Sequence, residues 1–157
     1  MLELLWPKTG DKVLDIGFGS GWTTALLAEI VGKKIKPCET PNRSAESRTG
    51  CGGKIFAIEM LPELCEFGEK NVRKYFTAGV RFLCINGSKG YPDEAPYDRI
   101  LVSAAASKLP KKLKNQLKIK GRLVIPIQNS IWLIERTGEN KFREEEHYGF
   151  SFVPLIN

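Results

Sequence analysis

The stretch "VLDIGFGSGW", residues 13–22, constrains this chain more than any other. An apolar run carrying Asp15 near its end is followed by Gly17, Gly19 and Gly21 in alternation, then by "WTTALLAEIV" with Ala25, Leu26, Leu27, Ala28 and Ile30 supplying an apolar side. This pattern predicts a buried strand over residues 12–16 and a helix over 22–31, joined by a tight turn free of side chains. In an open α/β sheet that turn is where ligands bind, because the helix N–H groups face it. One glycine would serve a sharp connection; three in alternation after an acid indicate a ligand lying against the backbone.

The rest of the chain keeps the same rhythm. "KIFAIEM" (54–60) reads as a second buried strand, and Pro62 opens a helix in which Leu64, Phe67, Val72 and Phe76 share one face. Further strands are predicted at 80–85, 97–105 and 121–127. Before the last of them "KLPKKLKNQLKIKGR" can form a helix that turns Leu109, Leu113 and Leu117 inward. "SIWLIER" and "FREEEHYGFSFVPLI" lack a helical period and read as an antiparallel pair. The expected fold is α/β: a doubly wound, mostly parallel sheet ending in an antiparallel C-terminal hairpin. At 157 residues the chain fits one domain, 1–157, with the polar segment 33–53 as an insertion loop.

Composition narrows the function classes. With 42% hydrophobic and 27% charged residues, disordered, collagenous and disulfide-scaffold classes are excluded. No segment is long and apolar enough to span a membrane, so a cytoplasmic protein without a membrane partner is expected. Cys38, Cys51, Cys65 and Cys84 form no CxxC pair and His147 has no cysteine near it, so no metal site is expected. Cys38 and Cys51 flank the insertion, and in a reducing cytosol two free thiols are the preferred reading. The net charge of +6 has two sources: five basic against two acidic residues in 33–53, and seven basic against none in 108–122. A solvated helix face explains the second better than a nucleic-acid patch does.

The glycine spacing is G-x-G-x-G with Trp22 next, and not the G-x-G-x-x-G of a dinucleotide fold, which disfavours a pyrophosphate. Glu59 ends the second strand, where a carboxylate can accept both hydroxyl protons of an adenosine ribose. It lies 38 positions after Gly21, or 17 once the 21-residue insertion is removed, near the roughly 20 expected of this geometry. Asp15 beneath the turn suits a cationic ligand or holds the loop by hydrogen bonds. A ribose with a positive amino-acid tail points to S-adenosylmethionine. Asn86 and Gly87 follow the third strand at the same sheet edge, either to meet an adenine edge or as a plain Asn-Gly turn. "YDRILVSAAA" ends a strand in small residues, leaving space beside the methyl donor.

These residues resemble the protein-L-isoaspartate O-methyltransferase family of class I S-adenosylmethionine-dependent methyltransferases. The resemblance runs through "VLDIGFGSGW", "GKIFAIEM", "LCINGSKGYPDEAPYDRILVSAAASKLP", "LKNQLKIKGRLVIPI" and "FSFVPLI". It implies methyl transfer from S-adenosylmethionine to the free carboxyl of L-isoaspartyl residues in damaged proteins or peptides, a repair reaction. It also implies that Gly17, Gly19 and Gly21, with Asp15 beneath, lie along the methionine portion. Glu59, with Met60 beside it, would hold the ribose, and Asn86 and Gly87 would meet the adenine. Ser103, Ala104 and Ala105, with Ala106 and Val153, would border the substrate. The family typically carries an aspartate where this chain has Asn86. It also carries an N-terminal segment with a "Q-T-I-S-x-P"-like stretch whose serine helps hold the substrate carboxylate, whereas "MLELLWPKTGDKV" resembles only the end of that segment's last helix. No catalytic acid or base is assigned, because a carboxylate is already ionised at neutral pH, and His147 reads as a surface residue of the terminal strand. Two other readings stay open. One is a non-catalytic cofactor-binding module acting through a partner or self-association that covers Leu4, Leu5 and Trp6; the other is an RNA methyltransferase using the lysine-rich helix.

Overall fold

Apolar runs long enough for five or six residues, each followed by a helix or a polar crossover, produce one continuous sheet. A computed structural model describes residues 1–32, 52–76 and 79–150. The elements are α1 (Leu2–Leu5), β1 (Lys12–Ile16), α2 (Trp22–Gly32), β2 (Lys54–Glu59), α3 (Pro62–Arg73), β3 (Val80–Cys84), β4 (Tyr97–Val102), α4 (Lys111–Asn115), β5 (Leu117–Ile127), β6 (Ser130–Arg136) and β7 (Phe142–Tyr148). The strand order is β3-β2-β1-β4-β5-β6-β7. Strands β1 to β5 pair in parallel, and β5, β6 and β7 pair antiparallel. The strand order turns back between β1 and β4, which makes their carboxyl ends the switch point where such sheets leave a crevice.

Alternation along each strand builds two cores. Val13, Ile55, Ala57, Leu101 and Val124 join Leu5, Leu27, Ala28 and Val31 beneath α1 and α2. Leu14, Ile16, Phe56, Ile58, Ile100 and Leu123 join Tyr97, Leu113 and Leu117 on the opposite face. Both faces of β1 are therefore covered, as a central parallel strand requires. The doubly wound α/β fold with its antiparallel C-terminal pair is the one the residues predict.

Several boundaries differ from that expectation. The lysine-rich helix is only Lys111–Asn115, and Leu117 already belongs to β5. Leu113 and Leu117 are both fully buried, but from different elements, so the four-residue spacing of leucines was not one helical face. A bulge absorbs the change: Tyr97 pairs Leu117 while Arg99 pairs Arg122, and Lys120 within it has φ 67°. Helix α3 stops at Arg73 rather than Phe76, and Phe67 is 54% exposed because Gly68 and Val72 take the inward face. The strand expected over 97–105 ends at Val102. Leu5, expected on an uncovered apolar face, is wholly buried at the end of α1, whereas Trp6 is exposed, with Lys8 and Arg122 4.4 and 5.1 Å from its ring centre.

Cys65 of α3 and Cys84 of β3, left unassigned by the sequence, form a disulfide with Cα atoms 5.8 Å apart. The β2-α3-β3 crossover brings the first turn of its helix beside the end of its second strand. The expected insertion at 33–53, apart from Gly52 and Gly53, lies outside the described residues, as do the Cys38 and Cys51 thiols and Val153.

Candidate functional site

Residues from four strand ends meet at the carboxyl edge of the sheet. Gly17 leaves β1 with φ 80°, its N–H donating to Ile58 O at 2.8 Å, and Ser103 N donates to Ile16 O at 2.8 Å from the β4 side. A Cβ placed on Gly17 would sit 3.8 Å from Ser103 Cβ and 3.9 Å from Ala104 Cβ. The small residues after β4 thus face the glycine turn across the switch point. Ala105 is half-buried beside them, and Ala106 N donates to Pro126 O at 2.9 Å, tying this segment to β5.

The three glycines do different work. Around Gly19, φ 51°, a Cβ would meet nothing within 4 Å, so the backbone there borders open space. At Gly21 a Cβ would lie 2.6 Å from both Gly68 O and Val72 Cγ2, so this glycine is required by the packing of α2 on α3.

Asp15 is fully buried, pointing from β1 toward α2, where the Thr24 hydroxyl donates to its Oδ2 at 2.6 Å. Its Oδ1 is buried with no hydrogen-bond partner among the described residues. Burial pushes its carboxyl up to about 6; hydrogen bonds from Thr24 and Thr23 offset part of the shift, and the charge of Glu59 adds to it.

Glu59 ends β2 with its carboxylate turned back on the glycine turn. Its Oε2 accepts from Gly19 N at 3.0 Å, and its Oε1 from Met60 N at 2.8 Å and Leu61 N at 3.2 Å. A carboxylate has about four acceptor sites, so one remains, on Oε2. Met60 contributes its N–H to this arrangement. Beyond β3, Ile85 N donates to Glu59 O at 3.0 Å, and Asn86 Oδ1 accepts from Ser88 N at 2.8 Å. Gly87 is buried so closely on the strand ends that a Cβ would come within 2.5 Å of Ile16 Cγ2.

Asp15, Gly17, Gly19, Glu59, Met60, Asn86, Gly87, Ser103, Ala104 and Ala105 therefore share one edge of the sheet, with Gly21 behind it. Three participants were not legible as such. Thr24 partners Asp15. Gly68 lets α3 reach the glycine turn, since a Cβ there would collide with Gly19 O; a lone glycine inside a helix, costing about 1 kcal/mol, is the signal that was available. Gln116, 7% exposed, clamps the loop after β3 by accepting from Tyr91 N at 2.9 Å and donating to Lys89 O at 2.8 Å; no local pattern marks it.

Comparison with known proteins bears on the family and the fold. The family model described as Protein-L-isoaspartate(D-aspartate) O-methyltransferase (PCMT) matches residues 1–157. A protein-L-isoaspartate O-methyltransferase of Methanopyrus kandleri is 41% identical over 161 residues, covering 99% of this chain and 63% of its own length. One from Aeropyrum pernix is 44% identical over 161 residues, covering 99% and 55%. The chain thus spans 55% to 63% of the length of these two relatives. Among solved structures, a protein-L-isoaspartate O-methyltransferase aligns with a TM-score of 0.80 at 24% identity, over 99% of this chain and 45% of the other. A Plasmodium falciparum chain described as such an enzyme, in complex with S-adenosyl-L-homocysteine, aligns at 0.76 and 21% identity, over 99% and 69%. With the whole chain matched by the family model and a Rossmann-like class I sheet carrying the motif residues at its switch point, this chain belongs to the protein-L-isoaspartate O-methyltransferase family.

Proposed function

We propose that the chain is the S-adenosylmethionine-binding domain of a cytoplasmic repair enzyme, spanning 1–157, that methylates the free carboxyl of L-isoaspartyl residues in damaged proteins or peptides. The observation that carries this reading is the juxtaposition, in a chain of this family, of an open glycine turn, a terminal carboxylate and a buried acid at one switch point.

The residues present fit the cofactor. The unpartnered Asp15 Oδ1 gives negative charge beneath the turn, which would favour the ammonium of an amino-acid tail bound along Gly17 and Gly19. Glu59 has one free acceptor site for a ribose hydroxyl; a second hydroxyl must share or displace one of its amide donors. The edge of Ile85 and Asn86 beyond it would hold the base.

When bound, the cofactor supplies an electrophilic methyl group on a sulfonium. The chain's residues have only to position it, since the substrate carboxylate is ionised near neutral pH and needs no general base. Ser103, Ala104 and Ala105 leave room beside the turn for that carboxylate. Orientation of this kind contributes roughly 7–11 kcal/mol to a displacement.

Calorimetric titration with S-adenosylhomocysteine, followed by a methyl-transfer assay on an isoaspartyl peptide, tests the proposal in two steps. Micromolar binding and methyl ester formation are expected. An unmethylated peptide despite tight binding removes the activity, and no binding removes the cofactor site.

A further inference from the structure

The Cys65–Cys84 disulfide closes a ring around Glu59. Cys84 is the partner of Glu59 in the β2–β3 register, and Cys65 lies in the first turn of α3 with its Sγ 3.3 Å from Glu59 O. Between Glu59 and Cys65 run Met60 and Leu61, whose N–H groups donate to Glu59 Oε1, and Cys65 N donates to Leu61 O at 2.9 Å. The carboxylate is therefore oriented by the short segment that the cross-link holds in place.

The start of α3 is otherwise weakly held. Leu61 caps the helix without a side-chain hydrogen bond, and Leu61, Pro62 and Glu63 are all exposed. A first turn without a cap frays readily, and fraying here would withdraw the donors that fix Glu59. The covalent link to the end of β3 prevents it. On the other side Ile85 N donates to Glu59 O at 3.0 Å, so both cysteines are anchored at the same backbone carbonyl.

The two cysteines differ in access: Cys84 is exposed, whereas Cys65 is half-buried against the core under α2. A dithiol reductant can therefore reach Cys84. Its thiolate attacks Cys84 Sγ, the S–S bond breaks, and Cys65 leaves as a thiolate that takes a proton from water. The second thiol of the reductant then displaces Cys84 from the mixed disulfide, so the chain gains two thiols and the dithiol becomes a disulfide. The new Cys65 thiol has Glu59 O as its acceptor, a weak S–H hydrogen bond in place of the covalent link.

Resting on the cofactor reading above, we infer that Cys65 and Cys84 form a thiol-disulfide exchange site whose state sets the affinity of the cofactor pocket. The oxidised chain binds more tightly because the donors to Glu59 are fixed before the ligand arrives, whereas the reduced chain must order them on binding. By linkage, bound cofactor protects the disulfide from reduction by the same factor. A cross-link that served the fold alone would leave the affinity unchanged.

S-adenosylhomocysteine is titrated calorimetrically into the full chain before and after treatment with dithiothreitol, and into Cys65→Ser/Cys84→Ser, with circular dichroism melting to verify that each is folded at the working temperature. Reduction is expected to weaken binding about tenfold. The double variant should bind as the reduced chain does, with or without dithiothreitol, which separates the effect from Cys38 and Cys51. Saturating ligand should raise the ratio of reduced to oxidised dithiothreitol needed for half-reduction about tenfold, read by thiol labelling of Cys84 in the native chain. Equal affinity in the two states, a half-reduction ratio indifferent to the ligand, or a reduced chain that is unfolded at the working temperature overturns the exchange site alone. Failure of the ligand to bind in either state overturns the cofactor reading and the exchange site together.

Discussion

Asp15 concentrates the chemistry of the site in one residue. Its carboxyl titrates near 6 in the folded chain against 3.8 for an ordinary aspartate, because burial disfavours the charge. The folded state therefore binds the proton more tightly than the unfolded one. Its contribution to stability is fully present below about pH 4 and is lost as pH rises through 6, a swing of about 3 kcal/mol. Asp15→Asn should abolish that part of the decline, so chemical denaturation at pH 4.5 and pH 7 should differ less in the variant. The same substitution should weaken S-adenosylhomocysteine at pH 7 by removing the buried negative charge that favours the ligand's ammonium above it. Glu59→Ala separates the two roles differently: cofactor affinity should fall at least tenfold, measured by calorimetry, while stability drops by about 1–2 kcal/mol from the loss of the acceptor for Gly19, Met60 and Leu61. Equal binding would mean that the ribose is held elsewhere.

At the scale of elements, the bulge in β5 and the lower edge of the sheet carry the clearest expectations. Lys120 sits at φ 67° in the bulge, a conformation that strains any residue with a Cβ. Lys120→Gly should raise stability by about 0.5–1 kcal/mol, once the extra freedom of glycine in the unfolded chain is set against the relieved strain. Arg99 joins β4 to the opening segment: its Nε donates to Trp6 O at 3.1 Å and lies 3.4 Å from Asp11 Oδ2, and its Nη1 donates to Asp98 O at 2.8 Å. Burial raises the Asp11 carboxyl while Arg99 lowers it. Arg99→Met should cost about 2 kcal/mol at neutral pH in urea denaturation, and less in acid, where Asp11 is protonated and no longer needs the guanidinium.

For the whole molecule, every strand among the described residues belongs to one sheet and the site draws on both halves of it, so binding of the proposed cofactor is expected to be linked to global stability. S-adenosylhomocysteine at a hundred times its dissociation constant should add about 2.7 kcal/mol to the unfolding free energy. A thermal midpoint unmoved by the ligand would contradict a site built across β1, β2, β3 and β4.

What the sequence determined by itself was what local chemistry can encode. The apolar runs of β1, β2 and β4, the alternation of strand and helix, and the glycine turn after Asp15 follow from periodicity and from the bareness of glycine, which act within a few residues. Glu59 at the end of β2 and Asn86 after β3 were legible for the same reason, since strand ends in a parallel sheet all emerge at one edge. The tertiary structure alone decided relations between distant residues. Leu117 became a strand residue because Tyr97 was there to pair with it. Gly21 proved to serve packing because α3 approaches it through Gly68. Gln116 reached back to Lys89 and Tyr91, and Cys65 met Cys84, because the crossovers set them side by side. Such contacts depend on which elements become neighbours, and that is settled by burying both faces of the sheet at once rather than by any short stretch of sequence.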